Sequence, residues 1–293
     1  KMLAEQARGL LAERAPYDRL RALVDAGAEW DEPLWRELAE MGFLGARIPE
    51  AYGGLGLSDL DLGVISEELG RANCAVPFFS SIVCTADALT IAGSEAQKAA
   101  WLPLLASGEV VAAFASAEGK DGWRPAKPSV AFADGKLTGS KSPVADAGIA
   151  DVAIVVCAHD EREALALVKL DGATVTRTKL DSFDELRTHY RIDFDGADAE
   201  LLDGADAAVI DGVLNRAAVQ AAFEAVGAAE ACVHMGRDYT MDRQMFGRPL
   251  ASYQAIKHKL ADILMATELA RSNAYYAGWA ANDAPGDLPL AAA

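Results

Sequence analysis

Apolar positions recur at helical spacing over the first third of the chain. Leu3, Ala7, Leu10 and Leu11 repeat at helical spacing, and so do Leu34, Leu38 and Met41. The second set follows Asp31-Glu32-Pro33, where the proline suits a first helical turn. Several short helices are expected up to about residue 110. Ile48-Pro49-Glu50-Ala51-Tyr52-Gly53-Gly54-Leu55-Gly56 interrupts them and reads as a turn, because it lacks the preceding strand and the glycine spacing of a phosphate loop. From about Val110 to Asp206 the pattern changes to short β-branched runs: Val130-Ala131-Phe132, Val152 to Val156, Leu165 to Val168, Val175-Thr176 and Tyr190 to Phe194. Separated by Gly, Asp and Pro, these predict a small antiparallel β domain. One long helix rich in Ala, Leu and Val then runs from about Ala207 to Met241. Gly247 with Pro249 two residues later reads as its stop, and Ser252 as the N-cap of a second helix. That helix carries Ile256, Leu260, Ile263 and Leu264 on one face, with a breaker-rich loop from Asn282 to Asp287 after it.

Runs of each type are segregated and do not alternate, so the fold class is α+β. The expected domains are an N-terminal helical domain (1–110), a middle β domain (111–206) and a C-terminal helical domain (207–293). With 293 residues, 52% of them hydrophobic, the chain can bury a sizeable core. Its net charge of −17 argues against a nucleic-acid partner or an anionic membrane surface, since phosphate binding needs concentrated Lys and Arg. No run of about eighteen apolar residues suggests a membrane span. Cys74, Cys84, Cys157 and Cys232 form no CxxC pair, and His159, His189, His234 and His258 share no metal spacing. Buried free thiols, no metal site and a cytoplasmic location are expected. The chain begins without Met and ends on Leu290-Ala291-Ala292-Ala293, a pattern able to continue as a helix, so its C-terminus is expected to be incomplete.

Arg243, Phe246 and Gln254 flank the corner between the two long helices. A cation, a ring and an amide presented together suit a ligand with charge and a flat ring, such as the diphosphate and adenine of a dinucleotide. On physical grounds alone the same Arg and Phe also read as a cation complementing the helix dipole and a core ring.

Arg243-Gln244-Met245-Phe246-Gly247, then Gln254 and Leu260-Ala261-Asp262, resembles the R-x-x-F-G…Q…L-A-D signature of the acyl-CoA dehydrogenase family. Pro49-Glu50-Ala51-Tyr52-Gly53-Gly54-Leu55-Gly56 and Glu67-Glu68-Leu69-Gly70-Arg71 resemble that family's N-terminal helical domain, and the helix, sheet, helix order resembles its plan. The resemblance implies FAD as cofactor and an acyl-CoA substrate. It also implies that Arg243, Phe246 and Gln254 contact the ADP half of an FAD whose flavin sits on a neighbouring subunit. In that family a carboxylate takes the α-proton while hydride passes to the flavin.

The matching catalytic positions are altered. The helix position for the base is Ala217, with Ala218 where an Arg commonly follows, and the family's other base position lies beyond residue 293. No catalytic residue is therefore visible, and Glu224 is the one substitute carboxylate on offer. Where the family reads T-E-P-x-x-G-S-D, this chain has Ala117 before Glu118. After Gly139-Ser140-Lys141, Pro143 and Ala145 replace the ring and hydroxyl that cover the flavin. Ser116 and Ser142 retain hydroxyls, and Ser116 is a candidate cofactor contact. Tyr275, Tyr276 and Trp279 are expected as core or interface rings, or in an acyl pocket. The pattern is similar to one subunit of an actinobacterial heteromeric enzyme, an α2β2 heterotetramer with a homologous catalytic partner acting on a bulky or steroid side-chain thioester. A homo-oligomer with its base beyond residue 293, or a non-catalytic assembly protein, would carry many of the same features.

Overall fold

The computed structural model describes residues 2–293. Helices α1 (Met2–Arg14), α2 (Tyr17–Asp25), α3 (Glu32–Glu40), α4 (Asp59–Ala72), α5 (Asp87–Ala92) and α6 (Glu95–Ala106) come first. Strands β1 (Ala112–Ala115), β2 (Ala131–Ala133), β3 (Lys136–Ala145), β4 (Val152–His159), β5 (Arg162–Lys169), β6 (Val175–Lys179) and β7 (His189–Leu201) follow. Helix α7 (Ala207–Asp242), a short hairpin of β8 (Gln244–Met245) and β9 (Arg248–Pro249), then α8 (Gln254–Asp283) and α9 (Leu288–Ala291) complete the chain. The segregated order is that of an α+β protein, as the sequence pattern predicts.

Contacts divide the chain into two compact units. One contains residues up to Pro16, Ser58–Cys74 and Ala218–Ala293; the other contains Tyr17–Leu57 and Ala75–Ala217.

In the second unit, β1 to β7 form one sheet in which β4, β2, β3, β7 and β5 pair in a closed circuit back to β4. The expected antiparallel arrangement needs one correction: β1 pairs with β4 in parallel, and so does β2 through Ala131 and Ala158. Val152 to Cys157 of β4 are all buried, which explains a continuous apolar run where a one-sided strand would alternate. Strand β1 lies at the edge of the sheet, and a π-helical segment, Phe79–Ala86, covers it. Ser81 Oγ both accepts from the Ala112 amide and donates to the Ala112 carbonyl, at 2.9 Å each, and Thr85 Oγ1 donates to Ala113 O at 3.0 Å. Unpaired edge groups are thereby satisfied. Helix α3 starts where expected: Asp31 accepts from Leu34 N and holds Arg19 by a two-pronged ion pair, with proline in the first turn. Ser58 with Asp61 and Ser94 with Gln97 form capping boxes for α4 and α6.

In the first unit, Phe223 of α7 is fully buried against Val219, Val226, Ala274, Ala277 and Leu288. Helices α4 and α7 approach so closely that a Cβ on Gly70 would lie 2.0 Å from Glu224 O, and one on Gly227 would lie 1.8 Å from Glu67 O. Buried polar groups across this crossing are paired: Ser66 Oγ donates to Gln220 Oε1 at 3.0 Å, and Gln220 Nε2 to Asp59 O at 2.9 Å. Arg71 reaches Glu68 and Glu230, while Arg271 of α8 reaches Glu67 and Glu230. These charges tie α4, α7 and α8 into one register.

Cys74, Cys84 and Cys157 are buried and in no disulfide, and burial pushes the Cys157 thiol up to about 12. Cys232 departs from the expectation: it is exposed, on the outer side of α7.

Candidate functional site

The corner between α7 and α8 is a hairpin. Gly247 and Pro249 do not end α7, which stops at Asp242; they belong instead to the turn and to β9. Gln244 faces Pro249 and Met245 faces Arg248 across the pair. The two turn residues, Phe246 and Gly247, have φ of 51° and 77°. Positive φ at both positions gives the turn geometry that matches the twist of a two-residue hairpin. For a phenylalanine this is an uncommon conformation, and the ring it projects is 91% exposed.

Three contacts fix the hairpin. Leu250 N donates to Arg243 O at 2.7 Å, Tyr253 Oη donates to Met245 O at 2.9 Å, and the Arg248 guanidinium stands 3.9 Å from the centre of the Tyr253 ring. Tyr253, not Ser252, is the N-cap of α8. Leu250–Ser252 forms a 3-10 turn, and the Ser252 hydroxyl is buried there without a partner. Gln254 Nε2 lies 2.8 Å from His258 Nε2, one turn along α8. Arg243, Phe246 and Gln254 are thus brought together on one exposed corner. No ion pair involves Arg243 or Arg248 among the described residues. Sequence reasoning missed Arg248 and Tyr253; the only available signal was an aromatic residue beside Gln254.

The positions matched to the flavin side behave differently. Ser116 is buried, and its carbonyl accepts from Lys141 Nζ at 3.1 Å. Lys141 has no exposed side-chain surface and pairs with Glu118 at 2.6 Å. Burial works against the Glu118 carboxylate, yet hydrogen bonds from Lys141 and Ser129 hold its pKa below the usual range. Burial draws Lys141 below the ordinary lysine value, partly offset by Glu118. Ser142 N donates to Ala117 O at 2.9 Å, completing a clamp of the β1 end onto β3. Lys141 and Glu118 are spent on each other, and Ser116 and Ser142 are held here through their backbone groups. Ala117, Pro143 and Ala145 supply neither a ring nor a hydroxyl.

Ala217 is buried and carries no titratable group. Its neighbour Arg216 donates through Nε to Asp87 at 2.8 Å, and Arg47 binds the same carboxylate. Glu224 sits at the α4 crossing, its backbone against Gly70. Tyr275 is 37% exposed, its ring centre 5.0 Å from that of the buried Phe223 and its hydroxyl donating to Glu67 at 3.1 Å; Tyr276 and Trp279 are also exposed. Among the described residues no cluster of His, Cys, Asp and Glu could hold a metal ion, and no helix is long and apolar enough to cross a membrane.

The donor set at the hairpin fits the diphosphate and adenine of a dinucleotide: guanidinium groups with no carboxylate to neutralise them, an exposed ring and an amide. The flavin-side positions do not fit the reacting ring system.

Two family models match the chain: acyl-CoA dehydrogenase, N-terminal domain, over residues 1–109, and acyl-CoA dehydrogenase, C-terminal domain, over residues 207–293. An acyl-CoA dehydrogenase of Bacillus subtilis is 30% identical over 297 residues, covering 94% of this chain and 76% of its own. Among solved structures, a variant of the Tcur3481-Tcur3483 steroid ACAD is 30% identical with a TM-score of 0.91, covering 99% of this chain and 80% of that one. The ChsE4-ChsE5 complex from Mycobacterium tuberculosis is 25% identical with a TM-score of 0.90, at 99% and 80% coverage.

Proposed function

The chain belongs to the acyl-CoA dehydrogenase family of oxidoreductases, and from that premise we propose that it is one subunit of a hetero-oligomeric, cytoplasmic acyl-CoA dehydrogenase. It grips the ADP half of an FAD whose reacting ring is tended by a homologous partner. The observation that carries this reading is the contrast between two sets of residues. Arg243, Phe246 and Gln254 stand ready on a braced, exposed hairpin, whereas Ala217, Ala117, Pro143 and Ala145 can neither move a proton nor cover a ring. When bound, the flavin supplies the hydride acceptor. This chain's residues would bind the diphosphate by charge-assisted hydrogen bonds and cover the adenine with Phe246. The two-component names of similar solved structures support a homologous partner, with two copies of each chain as the expected assembly, and the steroid ACAD supports a bulky thioester substrate.

A second reading keeps a foothold because the relatives extend beyond the 76 to 80% of their length that this chain covers. It is a homo-oligomer whose base is supplied outside residues 1–293. The visible spectrum separates the two. Co-expression with a homologous partner is expected to give a yellow complex that oxidises acyl-CoA, while the chain purified alone is colourless. Stoichiometric flavin and full activity from this chain alone would refute the heteromeric reading.

A further inference from the structure

We propose that Arg248 is a second diphosphate-binding arginine, held for that task by Tyr253. The inference rests on the dinucleotide reading of the corner and adds a residue to it. Facing residues of an antiparallel pair share one side of the ribbon, and so do alternate residues along a strand. Met245 faces Arg248, and Leu250 N bonds Arg243 O one step further along, so Arg243 falls on the same side as Arg248. Diagonal neighbours on such a ribbon stand about 7–8 Å apart, within reach of two arginine arms closing on two linked phosphates. Most other arginines in this acidic chain are neutralised by a carboxylate, among them Arg8, Arg19, Arg71, Arg124 and Arg271. Arg243 and Arg248 are exposed, and neither makes an ion pair among the described residues.

Arg248 nevertheless has a ring partner. Its guanidinium lies over the Tyr253 ring at 3.9 Å, and the Tyr253 hydroxyl is committed to Met245 O at 2.9 Å. Arg248 remains exposed beside the ring and makes no ion pair among the described residues, so its N–H donors stay open to an anion. Tyr253 thus stiffens the hairpin and lowers the ordering cost of binding.

The test uses the assembled complex, stripped of flavin and titrated with FAD and separately with ADP, which carries the diphosphate and adenine alone. Arg248→Met is expected to weaken both by about tenfold and to flatten their dependence on ionic strength, because one screened charge contact is gone. Arg248→Lys recovers most of the loss, and Tyr253→Leu weakens both about threefold with the charge retained. Wild-type affinities and salt dependence in Arg248→Met would overturn the inference. If Arg243→Ala then still loses FAD, the reading of the corner survives without Arg248; if Arg243→Ala also binds normally, that reading fails as well.

Discussion

A lysine with no exposed surface needs an anion beside it, and Lys141 has Glu118 at 2.6 Å. Both values are lowered, with opposite consequences for the charged form: the carboxylate gains more from the pair than burial takes, while the ammonium, more deeply enclosed, still loses on balance. Glu118→Gln removes the anion and leaves the cation, so it is expected to cost about 3–5 kcal/mol in urea denaturation at neutral pH. The sign with pH follows from the lowered folded-state pKa of Lys141. Between that pKa and the unfolded value the native state binds fewer protons, so stability rises with pH and the penalty shrinks towards the ordinary lysine range. An equal penalty at about pH 7 and about pH 10 would contradict this account. In the parent protein the lowered Glu118 pKa acts in the same direction in a lower pH window: its contribution is present above the usual carboxylate range and is lost as pH falls through the lowered value. The same lysine shows why strand β3 escapes a search for alternating apolar residues. Its buried positions are Leu137, Lys141 and Val144, and a charge in an inward place breaks the period.

Helix packing depends on small residues where α4 meets α7. Gly227→Ala would set a methyl group against the Glu67 carbonyl at 1.8 Å and is expected to destabilise the protein by about 3 kcal/mol or more by thermal melting. Gly236 provides the control: its added Cβ would meet Leu260 at an ordinary 3.7 Å, so Gly236→Ala should be neutral or stabilising by up to about 1 kcal/mol. Equal melting shifts for the two variants would show that the close crossing is not the cause. The long helices were legible because their apolar positions persist over many turns. The hairpin between them was not. A two-residue turn normally announces itself by Asn-Gly or Asp-Gly, and here Phe246 occupies the first positive-φ position, so Gly247 read as a helix stop. Ser252 failed as a cap for a related reason: the 3-10 turn moved the start of α8 past it. The cofactor corner was found through resemblance, whereas the pairing of Arg248 with Tyr253 emerges only when the fold stacks one on the other.

The whole chain carries a net charge of −17, so its association with a partner cannot rest on like-charged surfaces alone. The first unit supplies apolar area in its place. Ile263 and Leu264, expected on one apolar face of α8, are about half exposed, as are Met265 and Leu269 and, on α7, Met235, Tyr239 and Met241. That much exposed apolar side chain on two neighbouring elements suits an assembly. FAD bound only by the assembled form would raise its melting temperature in proportion to the logarithm of ligand concentration. Methionine gives these helices a further use. Thioether sulfur takes up oxygen from dilute peroxide wherever water reaches it, so Met235, Met241 and Met265 would gain mass rapidly in the separate chain. Slower uptake at those sites after mixing with a cognate protein would draw the outline of the contact, residue by residue, in a mass spectrum.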